Sequence, residues 1–343
     1  MKKLLNTLYV TSPDTYLSLD GENVVVLKEQ QEAVRIPLHN LESILAFGYT
    51  GASPALMGRC AKSGPSLTFL TAQGRFLCRV VGETNGNVTL RKTQYRISDD
   101  PTASLRLARR FILGKLYNSR WVLERATRDH SQRIDTERVK HASQQLARSM
   151  SSINECEDLA RLRGLEGEAA SCYFGVLDEL ILQQKEDFPF SGRNRRPPLD
   201  NVNALLSFVY TLLAHDCAAA LEGVGLDAYV GFLHRDRPGR ISLALDLMEE
   251  LRSIYADRFV ISLINRREVN SKGFKQRESG AVIMDDDTRK SVLRAWQEKK
   301  QDTITHPYLE EKIEWGLVAH VQALLLARYL RGDIDDYPVF LWK

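Results

Sequence analysis

The chain has 343 residues, 43% hydrophobic and 27% charged, with a formal net charge of +3. These are the proportions of an ordinary soluble globular protein, long enough for two domains or one large one. No run of about 18 apolar residues is present, so no membrane-spanning helix is expected. Five scattered cysteines without a CxxC pair exclude the usual zinc knuckles and argue for reduced thiols in a cytoplasm.

From the N-terminus, MKKLLNTLYVTS starts like a secretory leader, but Asn6 and Thr7 interrupt its apolar core and Thr11 to Asp14 end it. It therefore reads as a first strand. TYLSL, NVVVLKE and VRIPL follow as short alternating or β-branched runs, with a hairpin turn at Asp20-Gly21-Glu22-Asn23. PALMGRCAKSG predicts one short helix ended by Gly64. SLTFLTAQGRFLCRVVG predicts a second hairpin bent at Gln73-Gly74. The polar, Pro-containing stretch RISDDPTAS marks a change of architecture near residue 97.

Beyond it the period becomes helical. Leu105, Leu107, Phe111, Ile112, Leu116 and Trp121 share one helix, and further helices are expected at about 137–160, 165–184, 202–223, 242–257, 288–300 and 306–331. The segment from Asn201 is apolar nearly all round, as a central buried helix would be. FPFSGRNRRPPLD is a broken loop carrying Arg193, Arg195 and Arg196. VNSKGFKQRESGAVIMDDD reads as a small hairpin or mobile loop before a helix capped near Asp286 or Asp287. Cys172 and Cys217 lie among Ala, Leu and Tyr, as small core residues do. Residues 101–150 hold 11 Lys or Arg against 4 Asp or Glu, consistent either with phosphate contacts or with a solvated helix face.

Three places carry candidate chemistry. Glu166, in LRGLEGEAA, heads a face continued by Ala169, Ala170, Tyr173, Leu177 and Leu180, and a carboxylate there needs a cation or donor. His234 follows an apolar run in GFLHRDRPGR. Asp246 and Glu249, three residues apart, share a face of LALDLMEEL, with Glu250 competing. Hard oxygens with one imidazole suit Mn²⁺ or Mg²⁺, the imidazole tilting toward Mn²⁺. Each has a plain alternative: Glu166 at a positive helix start, His234 as a structural histidine, the acidic residues as a solvated face. No phosphate-binding GxxxxGK[ST] loop, GxSxG elbow or strand-linked GxGxxG is present.

Together, LEGEAASCYF, DNVNALLSFVYTLL, YVGFLH and LALDLMEELR, with the closing ARYLRGDIDDYPVFLWK, resemble the CRISPR-associated adaptation integrase. That family comprises the DNA endonucleases and transesterases that insert new spacers into CRISPR arrays, and the match looks most like its type I-C branch. The resemblance covers essentially the whole chain. It implies an α+β protein: a β-rich dimerisation domain over residues 1–97, then a larger all-α catalytic domain over 98–343. The family's metal ligands fall on Glu166, His234 and Glu249. Many relatives carry Asp at the last position, which leaves Asp246 as an outer or alternative ligand within the catalytic set. Asn203 falls in the family's NALLSF-x-Y motif, where it is expected to organise a helix start.

The resemblance further implies attack by a prespacer 3′-hydroxyl on a phosphodiester at the leader–repeat boundary and again at the far end of the repeat. Water in its place gives nuclease activity. Double-stranded prespacer and repeat DNA would be held through backbone phosphates, with Arg193, Arg195, Arg196, Arg235, Arg237, Arg240, Lys272, Lys275 and Arg277 as candidate contacts. Homodimers and a small ferredoxin-like partner protein are implied as well. Tyr337, Phe340 and Trp342 of the tail suit either a docking peptide or a clip on the chain's own core. Two rivals remain at this level: a standalone branched-DNA nuclease or repair enzyme, and a nonenzymatic DNA-binding scaffold.

Overall fold

The computed structural model describes residues 6–12, 14–72, 76–82, 88–194 and 196–342. By compactness the chain divides into one unit of Met1–Asn85, Met284–Asp302 and Glu314–Leu317 and another of Gly86–Ile283, Thr303–Ile313 and Val318–Lys343. The sequence placed the change near residue 97.

The first unit is built from β1 (Thr7–Val10), β2 (Thr15–Asp20), β3 (Asn23–Lys28), β4 (Gln31–Pro37), β5 (Ser43–Phe47), β6 (Gly51–Ala52), α1 (Pro54–Ser63), β7 (Ser66–Leu70) and β8 (Phe76–Arg79). They form two four-stranded sheets, ordered β1-β5-β7-β8 and β4-β3-β2-β6. The first hairpin closes where expected, with Asp20 opposite Asn23 and Gly21 at φ +57, a conformation glycine adopts without steric cost. The second hairpin forms as well, pairing Thr68 with Arg79, while its expected bend at Gln73-Gly74 lies outside the described residues. Strand β5 is one element sequence reasoning missed, as are β6 and the helix over Val88–Asp99. Ile44 and Ala46 are wholly buried between parallel neighbours β1 and β7, so the strand lacks the polar alternation that betrays its flanking relatives. Val10, Leu17, Val24, Ile44, Leu56 and Leu67 from both sheets and α1 fill the core.

The second unit is helical: α2 (Val88–Asp99), α3 (Pro101–His130), α4 (Thr136–Asn154), α5 (Leu159–Phe174), α6 (Asn201–Gly223), α7 (Ser242–Glu249) and α8 (Arg258–Asn265). Aspartates set the starts. Asp100, Asp135, Asp158 and Asp200 each accept a backbone N–H of the helix that follows. The Asp158 cap divides the expected 137–160 helix and starts α5 six residues earlier than the expected 165. Glu166 therefore lies two turns inside α5, not at its positive end. The expected 242–257 helix breaks at Glu250, and a π-helical turn over Arg252–Asp257 joins α7 to α8. Helix α6 is long and apolar enough to cross a membrane by composition, yet 78% of that window is buried inside the fold, as a core helix.

Past α8, β9 (Phe274–Gln276) and β10 (Val282–Met284) make the small hairpin anticipated there. Asp285 caps α9 (Asp286–Gln301), one residue before the positions expected. The helix predicted over 306–331 is shorter. A hairpin of β11 (Thr303–Thr305) and β12 (Lys312–Glu314) precedes α10 (Trp315–Arg331). Pro307 disfavours the helical start, and the buried His306 ring instead accepts the amides of Tyr308 and Leu309 to close the loop.

The tail is a clip on its own core. Tyr337, Phe340 and Trp342 are buried. Glu250, wholly buried, accepts the Tyr337 hydroxyl and, at 2.7 Å, the Phe340 amide. Asn118 of α3 receives the Trp342 amide and donates to the Phe340 carbonyl. The guanidinium groups of Arg125 and Arg258 lie 4.2 and 4.3 Å from the Trp342 ring centroid. Glu250 thus serves the tail.

Candidate active site

Three elements of the helical unit meet at one pocket of about 350 Å³, lined by Arg163, Glu166, Leu233, His234, Arg235, Arg237, Arg240 and Glu249. Helix α5 supplies Arg163 and Glu166, one turn apart. Helix α7 supplies Glu249 from its last turn. The irregular segment between α6 and α7 supplies His234 and three arginines.

Asp246 is what holds His234 in place. Its Oδ2 accepts the Phe232 and Leu233 amides at 2.6 and 2.9 Å, and its Oδ1 accepts the His234 amide at 3.0 Å. The same oxygen lies 2.6 Å from His234 Nδ1. Both oxygens of this buried side chain already accept backbone amides, so the ring donates from Nδ1 and leaves Nε2 as its other nitrogen. Gly231 makes the approach possible, because a Cβ there would stand 2.8 Å from Asp246 Oδ2. Arg163 closes the segment from the other side, donating to the Leu233 carbonyl at 2.9 and 2.6 Å.

Glu249 is nearly buried, yet it is ionised. Burial pushes its pKa up, but the charges of Arg252 and Lys115 outweigh that and hold it well below the usual carboxylate range. Arg252 Nη1 donates to both Glu249 oxygens, at 2.7 and 3.0 Å. The π-helical turn that begins at Arg252 also sets its guanidinium 4.5 Å from the Tyr210 ring centroid, and Tyr210 in turn donates to buried Asp257. Lys115, from the middle of α3, completes the group. Its ammonium is 2.8 Å from Glu249 Oε2 and also hydrogen-bonded to Glu166. Neither Lys115 nor Arg163 was singled out from sequence. Lys115 sits on a long amphipathic helix where a cation normally means a solvated face.

The remaining basic candidates are spread out. Arg235, Arg237 and Arg240 line the pocket. Arg193 is committed within the fold, donating to Asn203 Oδ1 at 2.6 Å and Ser207 Oγ at 3.1 Å. Asn203, wholly buried, ties that loop to the start of α6. Arg196, Lys272, Lys275 and Arg277 are exposed and line no part of the pocket, and Arg195 lies outside the described residues.

Two carboxylates and an imidazole with a free nitrogen are a donor set that suits a divalent cation taking oxygen and nitrogen ligands. Among the described residues no three such groups converge on a single point. The ammonium of Lys115 stands between the two carboxylates. Asp246 fixes the imidazole tautomer, as the partner of a ligating histidine would. Asp246→Asn is expected to leave the helical fold intact but weaken Mn²⁺ binding about 10- to 100-fold. Titration of the Mn²⁺ paramagnetic signal measures this, and unchanged affinity would show that the ring needs no such anchor.

A family model described as CRISPR associated protein Cas1 matches residues 8–298. The chain is 52% identical over its whole length to the full length of a CRISPR-associated endonuclease Cas1 of Chlorobaculum tepidum. Its fold is similar to a casposase bound to integration product, with TM-score 0.84 at 23% identity, covering 98% of this chain and 94% of that one. It is similar too to a chain of a Cas6-RT-Cas1–Cas2 complex, with TM-score 0.82 at 20% identity, covering 100% of this chain and 36% of that one.

Proposed function

Because the chain belongs to the CRISPR-associated Cas1 family, we propose that it is a divalent-metal-dependent DNA endonuclease and integrase that inserts spacer DNA into a CRISPR array. The observation that carries this reading is one pocket lined together by Glu166, Glu249, the Asp246-anchored His234 and Arg163, Arg235, Arg237 and Arg240. Anionic ligands alone would repel a phosphodiester, and the arginine rim offsets them.

In strand transfer, the 3′-oxygen of the incoming DNA forms a bond to phosphorus as the bond from phosphorus to the departing 3′-oxygen breaks. The proton of the attacking hydroxyl ends on the departing oxygen. The number of phosphodiester bonds is unchanged, so no external energy source is needed. Glu166, His234 and Glu249 are the residues that would hold Mn²⁺ or Mg²⁺. Such an ion supplies charge neutralisation at the phosphate and acidifies a bound hydroxyl or water. The chain's own residues do the rest. The arginines grip and orient the phosphate, and Asp246 keeps His234 pointed with a fixed tautomer.

Prespacer and repeat duplexes would lie across this rim, and a small ferredoxin-like partner protein would join the assembly in the cytoplasm. Homodimerisation through the β-rich unit has support in β4, whose residues Gln31 to Arg35 are all exposed on the outer strand of its sheet. The chain's place in the type I-C branch rests on the whole-length motif match.

A supercoiled plasmid bearing a leader and repeat, a short duplex with free 3′ ends, and Mn²⁺ test the reading. Joined product is expected. Cleavage without joining would favour a standalone branched-DNA nuclease, and binding without turnover a nonenzymatic scaffold. In the same system, Arg235→Ala with Arg237→Ala should weaken duplex binding and reduce the slope of log affinity against log salt by about 2, roughly 0.9 for each phosphate no longer neutralised. Arg195→Ala with Arg196→Ala should do likewise. An unchanged slope rejects the loop concerned.

A further inference from the structure

We propose that Lys115 is a resident cation of this centre: its ammonium takes the place of the divalent ion in the metal-free protein and is displaced when the ion binds. The inference rests on the reading of Glu166 and Glu249 as metal ligands, and it adds a residue that neither the family motifs nor the sequence pattern assigned. Lys115 rises from the interior of α3, with only 9% of its side chain exposed, and makes ion pairs to Glu166 and, at 2.8 Å, to Glu249. Glu249 is itself almost wholly buried and is also paired with Arg252. A cation between two carboxylates is stabilised by both, and Glu166 and Glu249 are the residues that would hold a divalent ion here.

The physical reason for such a residue is the cost of the alternative. Two carboxylates brought together with no cation between them repel, and one of them loses its hydration by burial. A built-in ammonium offsets that repulsion and holds both side chains in place before any metal arrives. It also opposes metal binding, because the incoming ion must remove it. Binding of the ion and seating of Lys115 are therefore linked and mutually exclusive.

The test uses the full-length protein with Mn²⁺ alone, followed by the paramagnetic signal of the free ion and by thermal unfolding. Lys115→Met and Lys115→Gln should bind Mn²⁺ roughly tenfold more tightly than the wild type. Without metal they should melt lower, and Mn²⁺ should raise their melting temperature by more than it raises that of the wild type. If either variant fails to fold alone, added Mn²⁺ or a second change, Glu166→Gln, should restore it. Equal or weaker Mn²⁺ affinity in both variants, or failure of both rescues, overturns the proposal. The underlying ligand reading fails separately, if Glu166→Gln in an otherwise wild-type chain leaves Mn²⁺ affinity unchanged.

Discussion

Glu166→Ala and His234→Ala are each expected to lower strand joining and cleavage by at least about 10³-fold, several kcal/mol of barrier, while helicity and duplex binding stay near wild type. The expectation follows from where the two groups stand. Both line the pocket, and both remain partly open, with 27% and 21% of their side chains exposed, so neither is a packing element of the core. Removing Glu166 leaves Lys115 still paired with Glu249, and no buried charge is stranded. Removing His234 leaves Asp246 with its three amide donors. Circular dichroism and duplex binding at fixed salt separate a chemical defect from a folding one. Normal joining by either variant would refute the site.

Deleting Tyr337 to Lys343 is expected to leave the helical unit unable to fold stably at 37 °C. Three buried aromatics at about 3–5 kcal/mol each are comparable to the whole stability of an ordinary domain, about 5–15 kcal/mol. The deletion also strips Asn118 and Glu250 of partners inside the core. Trp342→Ala alone should cost about 3–5 kcal/mol in denaturant unfolding. Glu250 adds a pH signature. Burial pushes its carboxyl up to about 7, against the Tyr337 hydroxyl, the Phe340 amide and Gln322, which pull it down. A raised acid pKa means the folded chain holds a proton the unfolded chain releases. That stabilisation is full below about pH 4.5 and is lost as pH rises through 7, a decline of about 3 kcal/mol. Unfolding followed from pH 5 to 8 should show it, and Glu250→Gln should flatten it. An equally steep decline in that variant would assign the effect to another group.

Local rules carried the reading a long way. The Asp20–Asn23 turn, the short helix before Gly64 and the apolar run of α6 are each specified by neighbours in sequence, because turn, cap and periodicity act over a few residues. Where those rules failed, a longer-range contact had won. Strand β5 is covered on both sides and so shows no alternation, and the start of α10 is deferred by His306 folding its ring onto the chain that follows it.

The same division runs through the site. Glu166, His234 and the acidic turn of α7 stood out as candidates because a carboxylate on an apolar face and an imidazole after an apolar run call for a partner, and the family resemblance singled them out from their plain alternatives. Their partners were not legible. Asp246 proves to be the anchor of His234, Glu250 proves to hold the tail, and Lys115, 51 positions before Glu166, proves to bridge the two pocket carboxylates. The sequence by itself determined the turns, caps and periodic runs and marked candidate residues for chemistry, since composition and spacing are properties of a segment. Only the tertiary structure decided which charges face one another, since Coulomb interactions depend on distance through space and the chain brings α3, α5 and α7 together without any local signal of doing so.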